Sequence, residues 1–183
     1  MTQEALLIID VQEAFDHVNW GQRNNLQAED NMLKLISDFR SNSRPIIHIQ
    51  HVSDNPDSLF YSSRFQAFKK GFEPLKSEPL FQKTVNSAFI GTTLEDYLHQ
   101  NAISHLTIVG LTLPHCVSTT TRMAANLGFE VTLISDATAS FPLKGPDGKI
   151  IEARDCHYYN LAALNDEFAT IKNTADYLNH TKH

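Results

Sequence analysis

Two cysteines in 183 residues, Cys116 and Cys156, are too few for a disulfide framework. Gly and Pro, at 7 each, are too sparse for a disordered or repetitive chain. The chain opens with no basic-then-apolar leader and holds no apolar run of membrane-spanning length, so the expected location is cytoplasmic, with no membrane partner. Positive charge is also short: Lys and Arg total 15 against 21 Asp and Glu, giving a net charge of −6. No basic cluster is available for phosphates, which argues against nucleic acid and leaves a small-molecule substrate as the expected partner. No internal repeat or low-complexity tract occurs. What is present is ordinary globular composition, 42% hydrophobic and 20% charged. The length suits a single domain over residues 1–183 that buries roughly two thirds of its unfolded surface.

Strand and helix patterns alternate along the chain. Ala5 to Ile9 is a continuous apolar run ending at Asp10, the pattern of a parallel strand buried on both faces. Leu26, Met32, Leu33, Leu35, Ile36 and Phe39 recur at helical spacing, and Ile46 to Val52 reads as a second strand whose alternating His and Gln are polar neighbours either of a cleft or of a helix face. An irregular stretch from Ser53 to Leu80 follows, with Phe60, Tyr61, Phe65, Phe68 and Phe72; a loop this long is either a lid or binding element, or an aromatic satellite cluster or subunit contact. Phe81 to Thr84 is a short strand. Thr92 with Glu95 three residues on is a capping box for a helix to about Gln100. His105 to Val109 is a further strand, and a helix starting at Cys116 closes at Gly128. Phe129 to Ser135 is a strand with Asp136 at its polar carboxyl end. A turn-rich loop from Pro142 to Gly148, a helix from about Ile151 to Leu164, a strand at Phe168 to Ile171 and a terminal helix from Thr174 to Asn179 complete the chain. The alternation implies βαβ crossovers and one parallel sheet with helices on both faces.

Three residues then stand out. Asp10 follows the first strand, where open parallel sheets gather ligands; its plain alternative is a turn cap. Cys116 occupies a strand-to-helix turn whose N–H groups and dipole favour a thiolate; the alternative is a small buried hydrophobe. Lys83, taken alone, reads as a solvated surface lysine. In one cleft the carboxylate can take the thiol proton, the ammonium can stabilise the thiolate, and the thiolate can attack an electrophilic carbon. Cys156, inside a helical pattern beside Asp155 and His157, is a lesser candidate.

Together these segments carry a resemblance. Ala5 through Asp10 and Gln12 to Phe15, Lys83 with Ser87-Ala88-Phe89, Gly110 through Cys116 to Thr120, Gly128 to Val131 with Asp136-Ala137, and Leu161 to Thr170 resemble the isochorismatase-like cysteine hydrolases, in that family's order. The resemblance implies an α/β fold, a Rossmann-like three-layer sandwich with a six-stranded parallel sheet. It implies a catalytic trio of Asp10, Lys83 and Cys116. It also implies an oxyanion hole from the backbone N–H groups of Thr112 and Cys116, with a cis peptide between Leu111 and Thr112. Gln12, Phe15, Leu113 and Pro114 are the expected substrate contacts; Leu113 stands where the family often has Thr, and Pro114 is unusually near the cysteine. The implied chemistry is hydrolysis of a small amide through a thioester. Vinyl-ether hydrolysis and a non-catalytic or redox-sensing role are the alternatives. Metal-dependent relatives carry an Asp-x-His pair and a further His after the second strand. Here Asp54 is followed by Asn55-Pro56, no His lies between His51 and His99, and His48 and His51 point to opposite strand faces. No metal and no cofactor are expected. A homo-oligomer, dimer or larger, is expected from the aromatic loop and the family.

Overall fold

A computed structural model describes residues 3–61 and 63–180. Its main sheet is six-stranded and parallel. It is built from β1 (Gln3–Ile9), β2 (Ile46–His51), β3 (Leu80–Lys83), β4 (Ile103–Leu111), β5 (Glu130–Ala139) and, last in the chain, a strand at Thr170–Lys172. Between β5 and that last strand, β6 (Leu143–Lys144) and β7 (Ile150–Ile151) form a small antiparallel hairpin within the turn-rich segment, so the last strand is β8. The spatial order is β3-β2-β1-β4-β5-β8. Two central strands, β1 and β4, are apolar on both faces because helices cover both sides.

The alternation of β1 shows how one strand serves two cores. Ala5, Leu7 and Ile9 join one cluster with α3 (Leu94–Gln100), α4 (Ser118–Asn126) and α5 (Ala153–Leu164). Leu6 and Ile8 join the other, under α1 (Ala28–Ser41), where Met32, Leu35, Ile36 and Phe39 point inward. The terminal helix at Thr174–His180 adds Tyr177 to that second core; with the short turn of helix at Ser63–Gln66 numbered α2, it is α6. Leu26 and Leu33, read as part of the helix stripe, lie outside it and are exposed.

Three local expectations change. Thr93, not Thr92, occupies the cap position of α3 and makes no side-chain cap bond; the Thr92 hydroxyl instead donates to Ala88 O at 2.6 Å, so the capping box does not form. β5 runs four residues past Ser135, because a register shift against β4 between Ile108 and Gly110 lets it continue after a bulge. Asp136 therefore lies inside β5, where Oδ1 accepts from the Thr174 N–H (2.8 Å) and hydroxyl (2.7 Å) and caps α6. Finally, a π-helical turn over Leu113–Val117 precedes α4, so Cys116 sits before the helix instead of opening it. Among the described residues, no helix is long and apolar enough to cross a membrane.

Candidate active site

Parallel strands end side by side, and the site is assembled from such ends. Asp10 is the first residue beyond β1, completely buried, and turned by a left-handed φ of 52°. His51 ends β2 and Lys83 ends β3; the two are register partners, so their side chains share a face. Cys116 arrives from the π-helical turn after β4. The Leu111–Thr112 peptide just before that turn is cis.

Lys83 is the hub. Only 1% exposed, it is the reverse of a solvated surface lysine. Its Nζ donates to Asp10 Oδ2 at 2.6 Å and to Cys116 Sγ at 3.2 Å, and lies 3.0 Å from His51 Nδ1. An ammonium has three N–H donors, and all three are used. A buried lysine with this many acceptors is satisfied; one without them would be costly.

Burial dominates the electrostatics. It pushes the Asp10 carboxyl up from its ordinary value, against the opposing pull of Lys83. The Cys116 thiol is pushed up to about 12 by burial and by the neighbouring Asp10 charge, with Lys83 offsetting part of the rise. Burial and the nearby carboxylate therefore work against the thiolate expected at this turn, and of the two opposing charges only that of Lys83 favours it. A carboxyl oxygen lies close by. Asp10 Oδ1 is buried with no hydrogen-bond partner, and a carboxylate oxygen of Asp10, a ring nitrogen of His51 and Cys116 Sγ all lie within 4.8 Å of one another.

That oxygen, nitrogen and sulfur set is the donor group that could hold a metal ion among the described residues. The Lys83 ammonium already contacts all three members and is the cation the cluster surrounds. His48, by contrast, faces away, with Nε2 2.9 Å from Glu78 Oε2, as expected for residues three apart on a strand.

Cys116 opens into a cavity of about 230 Å³, with Phe15, Trp20, Phe60 and His51 on its apolar side and Asn86, Thr112 and His115 around the rest. Phe15 packs on Trp20 (5.2 Å between centroids) and Phe60 (5.4 Å), forming an aromatic wall. Phe60 comes from the long 53–79 loop, which therefore supplies a wall of the cavity. A larger hollow of about 450 Å³ lies at Arg40, Arg44 and Glu78, but its arginines are paired with Glu78, Glu4 and Asp38, and neither cysteine lines it.

Of the four expected substrate contacts, only Phe15 lines the cavity. Gln12 is completely buried, its amide spent on backbone: Nε2 donates to His51 O (2.9 Å) and Gln66 O (2.8 Å), and Oε1 accepts from His51 N–H (2.8 Å). Leu113 is packed into the core, and Pro114 lies within the π-helical turn without lining the cavity. Cys156 lies in α5 with Sγ 3.5 Å from Ile151 O, outside the cavity. Trp20, Asn86 and His115 are cavity residues that no sequence pattern singles out, whereas Phe60 belongs to the aromatic loop and His51 to the His- and Gln-bearing strand, both open to a cleft role. His51 carried a signal, since it ends a strand adjacent to the one that ends at Asp10.

The three-layer parallel α/β sandwich thus gathers a thiol, a carboxylate and an ammonium at its strand ends, where open α/β sheets take up ligands. The isochorismatase domain model matches residues 4–176, and the chain belongs to the isochorismatase family of hydrolases. It is 48% identical over 178 residues to the uncharacterized isochorismatase family protein YrdC of Bacillus subtilis (strain 168), covering 97% of this chain and 95% of that one. Its fold overlays a proposed hydrolase of the isochorismatase family from Chromobacterium violaceum with a TM-score of 0.94 at 38% identity, covering 97% of this chain and 92% of that one. A more distant relative, streptothricin hydrolase of Streptomyces noursei, is 26% identical over 145 residues, which span 76% of this chain and 51% of that one.

Proposed function

We propose that the protein is a cysteine amidohydrolase that cleaves a C–N bond of a small molecule through a thioester on Cys116. The observation that carries this reading is the contact set of Lys83, which joins Asp10 Oδ2 at 2.6 Å and Cys116 Sγ at 3.2 Å beside an Asp10 Oδ1 that has no partner. Asp10 takes the thiol proton as Sγ attacks the carbonyl carbon. Lys83 holds the carboxylate in place and lowers the cost of the transient thiolate. The oxygen of the tetrahedral adduct is met by the N–H groups of Thr112 and Cys116, a contribution of roughly 3 kcal/mol per donor in comparable sites. Protonated Asp10 then gives its proton to the departing nitrogen, the C–N bond breaks, and the thioester remains. Water, deprotonated by Asp10, attacks the thioester; the acid leaves and the thiol is restored.

The cavity supports a small, flat substrate. At about 230 Å³ it holds the volume of roughly eight waters, and its aromatic wall suits a ring or other planar group. A relative named for hydrolysing streptothricin agrees with a hydrolytic role. The test is turnover of a panel of small amides, with ammonia or amine release followed for wild type and Cys116→Ala. Loss of at least about a thousandfold in the variant is expected, and equal turnover by both would remove Cys116 from the chemistry.

A further inference from the structure

His51 does more at this site than complete the Lys83 hydrogen bonds. Its neighbour at Nδ1, 3.0 Å away, is an ammonium, which donates and cannot accept. Nδ1 must therefore be the unprotonated nitrogen. Burial and the Lys83 charge hold the imidazole down at about 4, so the ring is neutral at pH 7. A neutral ring with a bare Nδ1 carries its proton on Nε2. With Nδ1 bonded and Nε2 protonated, neither nitrogen has a free lone pair, and His51 is no base at rest. Its position is fixed on several sides. Gln12 binds both its backbone N–H (2.8 Å) and its carbonyl (2.9 Å), and the ring lies 4.7 Å from the Phe60 ring. The side chain nonetheless lines the cavity, and among the described residues Nε2 has no hydrogen-bond partner and is not one of the fully buried polar atoms, which leaves it accessible on the cavity side. The walls beside it, Phe15, Trp20 and Phe60, are aromatic.

We infer that His51 is a specificity-determining residue: its Nε2–H is a fixed donor that takes a hydrogen-bond acceptor of the substrate, an atom such as a ring nitrogen or carbonyl oxygen carried beyond the scissile group. The inference rests on the cysteine-hydrolase reading above for the orientation of the substrate, and names the class of substrate that reading leaves open. An otherwise apolar molecule of the same shape leaves this donor unpaired on binding and is selected against.

Aromatic aldehydes test it without knowledge of the natural substrate. A thiol adds reversibly across the aldehyde C=O: the S–C bond forms, the thiol proton passes to the carbonyl oxygen, and a thiohemiacetal results. Benzaldehyde and its 2-, 3- and 4-pyridine analogues differ only in the presence and place of an acceptor. Binding of each is measured for wild type, His51→Phe and His51→Gln, and expressed relative to benzaldehyde on the same protein, so that intrinsic aldehyde reactivity cancels between proteins. At least one pyridine analogue should lose about tenfold of its relative affinity in His51→Phe and keep most of it in His51→Gln, whose amide can both accept from Lys83 and donate to the ligand. Changes below about twofold for all three isomers, or equal losses in both variants, would overturn the inference. Nitrogen-15 NMR of wild type, independent of any variant, should show the His51 proton on Nε2 from pH 6 to 8; a proton on Nδ1 overturns it equally. Cys116→Ala separates the two readings. Undiminished aldehyde binding by that variant sinks the nucleophile assignment, while the NMR result still decides the His51 donor.

Discussion

A Cβ placed on Gly110 would fall 2.1 Å from the carbonyl oxygen of Ile9, its register partner on β1. Gly110 also holds a φ of +131°, a conformation that side chains with a Cβ rarely adopt. The close approach sits one residue before Asp10 on one strand and two before Thr112 on the other. Gly110→Ala should therefore cost upward of about 3 kcal/mol of stability and lower soluble yield. Urea denaturation measures it, and a loss under about 1 kcal/mol would mean that the strands part easily there.

Removing the carboxylate should separate nucleophile ionisation from turnover. Burial and the Asp10 charge hold the Cys116 thiol up at about 12, with Lys83 pulling against them. In Asp10→Asn the upward pull of the charge is gone and only burial still opposes Lys83, so the thiol titrates at lower pH. Iodoacetamide alkylation of Cys116 should move down by about one pH unit or more relative to wild type. Amide turnover should nevertheless fall by about two to four powers of ten, since the proton carrier is missing. Alkylation that moves to higher pH would contradict the assigned charges.

Lys83→Met leaves Asp10 buried without its cation and should destabilise by about 3 to 5 kcal/mol near neutral pH. The folded Asp10 pKa, already raised by burial, then rises further above its unfolded value of 3.8. Such a carboxyl is tolerated while protonated and loses folded stability as pH climbs from the unfolded value toward the folded one. The variant should thus be less impaired at pH 5 than at pH 8 in denaturant titrations. Adding Asp10→Asn should recover part of the loss, a coupling that a double-mutant cycle reads directly.

Glu78 provides the opposite sign. Burial raises its pKa, but bonds from Arg40 (2.8 and 2.9 Å), the Leu75 N–H (2.9 Å) and His48 (2.9 Å) outweigh burial and bring it down to about 2. Its contribution is complete above the ordinary value of 4.5 and is lost as pH falls from there toward 2. Glu78→Gln should cost about 1.5 to 3 kcal/mol at pH 7, and the gap from wild type should close across that acidic window. A gap that stays constant from pH 6 to pH 3 would show that the charge does not matter.

Strand ends were the legible part of the sequence. Asp10, Lys83 and Cys116 each follow or end an apolar or extended run, and parallel pairing brings such ends to one crevice. The family resemblance supplied the lysine, which no local pattern distinguishes from a surface residue. Gln12 was misread because its sequence position, two beyond Asp10, says nothing of the backbone groups of His51 and Gln66 that consume its amide. The second strand's alternating His and Gln leave a cleft and a helix face equally open for His51, because its actual neighbour, Lys83, is 32 residues away and meets it through β2–β3 register. Aromatic walls from Trp20 and Phe60 depend on the path of irregular chain, which has no periodicity to read.

Glu78 stands just before β3, at the point where the long loop gives way to the strand that delivers Lys83. Four bonds hold it to α1, to β2 and to its own turn. Everything upstream in the loop, Phe60 included, is on the far side of that anchorage from the lysine. Glu78 thus ties the entry of β3 to α1 and β2 through contacts separate from Phe60, the loop's contribution to the cavity wall.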